Sequence, residues 1–90
     1  SLAMKLTEIA DINKSPDARL DLSQEMLEKE CATAKAVVEQ VGTNGTTVVA
    51  RLTAEDFLLQ LATQSRRLAV KVIEAKNDDK GKLTYMKVSY

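Results

Sequence analysis

The clearest pattern of apolar and polar positions in this chain lies between Thr53 and Lys76. Apolar residues recur there every three or four positions and fill an arc of about 160° on a helical wheel, while polar residues occupy the opposite side. Thr53 is followed by acidic residues suited to the first turn of a helix. The pattern therefore predicts a long amphipathic helix over residues 54–76. The side of the helix that carries the apolar residues comprises Phe57, Leu58, Leu61, Ala62, Ser65, Leu68, Ala69, Val72 and Ile73.

The second half of this stretch also fits a different structure. Val70, Val72 and Ile73 are β-branched residues that favour strands. The alternative is a helix over 54–65 followed by a hairpin over 67–75/83–90, with an exposed turn between its strands. Because the helical spacing continues without a slip, we favour the long helix and keep the hairpin as the alternative.

A first amphipathic helix is predicted over residues 16–41. The sequence Ser15-Pro16-Asp17 is typical of a helix N-terminus, and Gly42 is a suitable stop. Two apolar stripes run along this helix, and a helix with two stripes usually packs against two neighbours. The weaker stripe includes Leu22, Met26 and Val37, which we predict as an interface with another chain.

The remaining segments indicate a small sheet. Residues 46–52 are rich in β-branched residues, and residues 83–90 alternate between apolar and polar, so both are predicted as strands that pair with each other. Residues 4–12 fit either a short helical turn or an edge strand, and we interpret them as a strand or an arm. The expected class is α+β, with two long helices over 16–41 and 54–76 and a small sheet.

The alternative with the hairpin gives the order β-α-β-α-β-β. That order resembles the chromatin-associated Alba proteins and the C-terminal domain of bacterial translation initiation factor three. The resemblance concerns topology, so it implies no role for any individual residue.

Composition bounds the size and the charge of the protein. Its 90 residues suffice for a single domain over 1–90, with Ser1-Leu2-Ala3 interpreted as an expression remnant. Thirteen basic and thirteen acidic residues give no net charge, so electrostatics does not oppose association between copies. The first half of the chain is acidic and the second half is basic. A run of apolar residues long enough to span a membrane is absent, so we expect a cytoplasmic protein without a membrane partner.

The residue types present exclude several kinds of chemistry within one chain. The sequence has no histidine and one cysteine, Cys31, which removes Cys/His zinc sites and Cys–His nucleophile pairs. Cys31 falls in an apolar stripe and is predicted to be buried. We therefore expect no catalytic residues, no metal and no cofactor, and interpret the chain as a non-enzymatic protein.

Two functions remain compatible with these observations. The preferred one is a protein–protein interaction or assembly domain that self-associates, as a homodimer, through Leu22, Met26 and Val37. The alternative is a small nucleic-acid-binding domain that uses its basic C-terminal half. Its expected contacts with anions or nucleic acid are Arg66, Arg67, Lys71 and Lys82.

Overall fold

The structure is a computed structural model that describes residues 1–42 and 44–90. These residues form three helices and four strands, which confirms the predicted α+β class. None of the described helices is both long and apolar enough to cross a membrane. The elements in chain order are α1 (Leu2–Ala10), α2 (Pro16–Lys29), β1 (Val37–Val41), β2 (Val48–Thr53), α3 (Ala54–Thr63), β3 (Lys71–Asn77) and β4 (Leu83–Ser89).

The strands form one mixed sheet in the order β2-β1-β4-β3. β1 and β2 are antiparallel, as are β3 and β4, whereas the two central strands β1 and β4 are parallel. The helices cover one face of this sheet. α1 and α3 pack on the strands, and α2 packs on α1 and α3.

The core lies between the sheet and the helices and is almost entirely aliphatic. Because side chains alternate along a strand, Val38 and Met86 face the helices while Val37 and Tyr85 face the other way. Within residues 1–42 and 44–90, no helix covers this second face, which we call the open face of the sheet. The largest side chains that are fully buried are Phe57, Leu6, Ile9, Leu58, Leu61, Met86, Val38 and Val88.

The predicted helix over 16–41 is wrong beyond Lys29. α2 ends there with Glu30 as its C-cap, and the later residues of the predicted helix form β1. β1 pairs with β2 on one side and with β4 on the other, so the extended backbone is hydrogen-bonded along both edges. Val37 and Val38 are β-branched and suit that environment better than a helix. Gly42 consequently ends a strand rather than a helix.

The predicted long helix over 54–76 is wrong beyond Thr63. Gln64 has extended backbone angles (φ −72°, ψ 156°) and caps the helix. Residues 71–77 form β3, which pairs with β4 as a hairpin. The alternative interpretation, a helix that ends near residue 65 followed by a hairpin, is confirmed with β3 at Lys71–Asn77.

The prediction of a strand over 4–12 is also wrong, because Leu2–Ala10 is helix α1. Ser1 caps this helix by accepting a hydrogen bond from the Met4 amide, so the first three residues take part in the fold. β2 and β4 do not pair as predicted, since β1 lies between them. The observed order α-α-β-β-α-β-β differs from β-α-β-α-β-β, which removes the basis for the resemblance stated above.

Local chemistry at the ends of the elements is as predicted. The Ser15 hydroxyl accepts from the Ala18 amide, and the Thr53 hydroxyl accepts from the Asp56 amide. The hairpin turn after β3 contains a glycine at positive φ. The turn predicted over 42–45 has Gly45 at φ 75°, while Thr43 lies outside the described residues.

Arg19 holds the C-terminal ends of two helices together. Its side chain is buried, with 6% of the residue exposed. Its guanidinium donates to the carbonyls of Ile9 and Ala10 at the end of α1, and to those of Leu61 and Gln64 at the end of α3. Because the last carbonyls of a helix have no partner within the helix and carry partial negative charge, a cation is stabilised at this position.

Candidate functional site

The two edges of the sheet differ in how well they are protected. β3 presents Lys71 and Lys76 and has two irregularities in its register with β4. Lysines and bulges on an edge strand discourage pairing with another chain. β2 has a single charged residue, Arg51, and one irregularity in its register with β1. β2 is therefore the less protected edge.

Apolar side chains are exposed along β2. Val48 is 44% exposed and Val49 is 65% exposed, although both are valines in a strand. Beside Val49, a shallow depression is lined by Val41, Gly42 and Tyr90 among others. The outer edge of β2 thus combines unpaired backbone groups with exposed apolar surface. We name this strand and its two exposed valines the β2 edge.

The open face of the sheet carries charges that alternate in sign. Pairing registers place Arg51, Glu39, Lys87 and Glu74 in one row across the four strands. The Arg51 Nε lies 3.4 Å from a Glu39 carboxylate oxygen. Opposite charges on adjacent strands stabilise the sheet, so this row has its electrostatic partners within the domain. A surface neutralised in this way attracts anions weakly.

Tyr85 lies at the centre of the open face, on β4. Its hydroxyl donates a hydrogen bond of 2.5 Å to Glu39, and the Lys76 ammonium lies 5.2 Å from the ring centroid. The hydrogen bond to the Glu39 carboxylate raises the pKa of Tyr85 to about 12, because phenolate would face a negative charge. The phenol is therefore a hydrogen-bond donor held in place, and its ring is partly covered.

The predicted interface residues do not lie on one surface. Met26 is buried in the core, and Leu22 packs against the core at the edge of a groove between α1 and α2. Val37 lies on β1 and faces away from the helices. The predicted stripe is therefore divided: Leu22 and Met26 belong to α2 and line the same groove, whereas Val37 belongs to β1.

The predicted anion-binding residues are also dispersed. Arg66 and Arg67 are exposed in the loop between α3 and β3, and Lys71 begins β3. Lys82 directly precedes β4, beside the end of β3 that is opposite Lys71. The length of β3 at ~3.3 Å per residue places Lys82 about 20 Å from Lys71. The Lys82 ammonium donates to the Lys29 carbonyl. Arg66, Arg67 and Lys71 are close in sequence, but the four residues do not form a single patch.

A second exposed apolar surface lies between α2 and α3. This α2–α3 groove has a volume of about 410 Å³. Leu59 is 52% exposed and Leu20 is 37% exposed. Leu59 falls on the polar side of its helix. An apolar residue at such a position indicates a contact surface, and Leu59 was not among the predicted site residues. The groove is lined by Leu20, Asp21, Ser23, Gln24, Leu27, Glu55, Leu58 and Leu59.

Comparison with known proteins gives no match: no protein-family model, no curated protein and no solved structure is significantly similar to this chain.

Proposed function

We propose that this chain is a non-catalytic protein-interaction domain that self-associates, and that the β2 edge is its interface. The observation that carries the proposal is the exposure of Val48 and Val49 on the less protected edge of the sheet. An edge strand with unpaired N–H and C=O groups is a template for a further strand. Exposed valines beside those groups add apolar area that a partner strand would bury.

A second copy is the partner that best fits this edge. Two β2 strands related by a two-fold axis run antiparallel and extend the sheet from four strands to eight, with each copy using the same surface. The chain has no net charge, so long-range repulsion between copies is small. β2 has one charged side chain, Arg51, and the two Arg51 residues meet only if the axis passes through that position.

The test is the molar mass of three proteins in sedimentation equilibrium at micromolar concentrations. The wild type is expected to be dimeric. Val49→Lys is expected to be monomeric, because a lysine in the middle of an added-strand interface is disfavoured. Ile73→Lys is the matched control: Ile73 is 48% exposed on the opposite edge, and its substitution should leave the dimer intact.

Both substitutions replace an exposed side chain in a strand, so both variants are expected to fold, and circular dichroism checks this. A monomeric wild type at these concentrations refutes self-association. A dimer that survives Val49→Lys but is lost in Ile73→Lys places the interface on β3 and refutes the role of the β2 edge.

A further inference from the structure

We propose that the α2–α3 groove binds a basic amphipathic helix from another protein. The groove lies between two neighbouring helices, and its leucines form an apolar floor. Leu20 and Leu59 are exposed on it, while Leu58 beneath them is buried. Helices commonly dock by laying an apolar face into such a groove. This surface is separate from the β2 edge, so the proposal does not depend on self-association.

The charges around the groove determine the sign of the charge that a partner should carry. α2 and α3 together carry six carboxylates and two cations. One cation, Arg19, is buried against backbone carbonyls, and the other, Lys29, pairs with Glu25 at 3.2 Å. Asp21 and Glu55 line the groove itself. A partner with lysine or arginine beside its apolar face is therefore complementary, and an acidic partner is repelled.

The dimensions of the groove favour a short helix. α2 has 14 residues and α3 has 10, so they are about 21 Å and 15 Å long at ~1.5 Å per residue. A helix of about three turns spans that length and presents apolar anchors at every third or fourth position. The groove offers no strand edge, because helices satisfy their own backbone groups, so an extended peptide has nothing to pair with.

A second copy of this chain cannot supply the partner helix from its described residues. α1 contains one cation, Lys5, and one carboxylate, Glu8. α2 and α3 are both acidic overall. The basic residues of the second half of the chain lie mainly in β3, β4 and the adjoining loops. The basic helix must therefore come from a different protein.

The probe is a fluorescent synthetic helix of leucine and lysine, about 12 residues long, with leucines at helical spacing. A second peptide has glutamate at every lysine position. Binding to the full chain is measured by fluorescence anisotropy at low and moderate salt. The lysine peptide is expected to bind and to weaken with salt, and the glutamate peptide is expected to bind at least about tenfold more weakly.

Two substitutions locate the site. Leu59→Gln removes an exposed apolar anchor while keeping helix propensity, and should weaken binding of the lysine peptide about tenfold, or ~1.4 kcal/mol. The matched control is Ile73→Thr, which removes a similarly exposed apolar side chain from β3 while keeping strand propensity. It should leave binding unchanged.

A charge-reversal pair tests the electrostatic part. Glu55→Lys should weaken binding of the lysine peptide, whereas Asp79→Lys in the β3–β4 hairpin turn, which does not line the groove, should change it less. The proposal is overturned if the lysine peptide does not bind, or if both peptides bind equally. It is also overturned if Leu59→Gln and Ile73→Thr have the same effect, because binding would then be nonspecific adhesion to a folded surface.

Discussion

Replacing Arg19 by methionine is expected to destabilise the domain more than replacing any exposed arginine. Methionine replaces the aliphatic part of the arginine side chain with apolar atoms, but it ends before the position of the guanidinium and donates no hydrogen bond. Four carbonyls at the ends of α1 and α3 lose the hydrogen bond that Arg19 donates. The Ala10 carbonyl alone retains one, from the Gln64 side-chain amide at 2.9 Å. None of the ion pairs formed by the described residues includes Arg19, so no carboxylate is left unpaired.

The size of the expected destabilisation follows from the geometry of the hydrogen bonds that Arg19 donates. Nε bonds Ile9 at 2.8 Å, and Nη2 bonds Leu61 at 2.8 Å and Gln64 at 2.9 Å. Nη2 also approaches the Ala10 carbonyl at 3.3 Å, but it has only two protons, so this fourth bond is shared and weak. Three charged hydrogen bonds contribute roughly 1.5–3 kcal/mol each, and their sum is an upper limit on the free energy of unfolding that the variant loses. The net loss is smaller, because the variant no longer buries a charged group.

A net loss of about 3–5 kcal/mol is therefore expected for Arg19→Met. Domains of this size have a free energy of unfolding of roughly 4–13 kcal/mol, so the variant loses a large share of its stability. Arg19→Lys keeps the charge at the helix ends but has a single ammonium that cannot reach both helices. The free energy of unfolding should fall about half as much in Arg19→Lys as in Arg19→Met. The comparison separates the contribution of the positive charge from that of the planar guanidinium group.

The assay is urea unfolding followed by circular dichroism. With a slope of ~1 kcal/mol per molar urea, Arg19→Met should lower the urea midpoint by several molar units or prevent folding. The control is Arg51→Met, whose arginine side chain is 71% exposed and should contribute below about 1 kcal/mol. A loss in Arg19→Met no larger than in Arg51→Met would refute the idea that Arg19 joins the two helix ends.

Two further predictions concern titrating groups. Glu39→Gln should move the pKa of Tyr85 back from about 12 toward its ordinary value, as measured by phenolate absorbance, with Tyr85→Phe identifying the signal. In the wild type this hydrogen bond stabilises the fold fully below the unfolded-state pKa of about 10. The contribution is lost as pH rises through the folded value near 12, so unfolding should become easier across that window. Burial, assisted by the neighbouring Glu30 carboxylate, raises the pKa of the Cys31 thiol. Cys31 should therefore resist thiol reagents until denaturant unfolds the chain, and fast labelling of the native protein would contradict its burial.

The parts of the fold that could be predicted from sequence are those decided by local chemistry. Ser15 and Thr53 cap helices because their hydroxyls reach amides three residues away, whatever the rest of the chain does. The turn near Gly81 is local in the same sense, since a glycine adopts its positive φ without strain. The existence of β2 and β4 also followed from their composition, but their neighbours in the sheet did not.

The parts that could not be predicted were decided by contacts between distant segments. Residues 31–41 and 66–76 combine alanine and valine at spacings that fit both a helix and a strand, and pairing with distant strands makes the choice. Arg19 looked like any polar residue in an amphipathic helix. Its role requires the end of α3 to lie beside the end of α1. Likewise, Val49 lies at an edge of the sheet only because the strand order places β2 outermost.

The parallel pairing of β1 with β4 has a consequence for the order of folding. β4 is the last of the four strands along the chain, yet it occupies the middle of the sheet and joins the β1–β2 hairpin to β3. Until β4 is in place, the earlier strands have no common neighbour, and closing the large intervening loop costs entropy. The domain should therefore fold in a single cooperative step that waits for its final strand, and a chain cut before Leu83 should retain fragments of helix and hairpin without a native core.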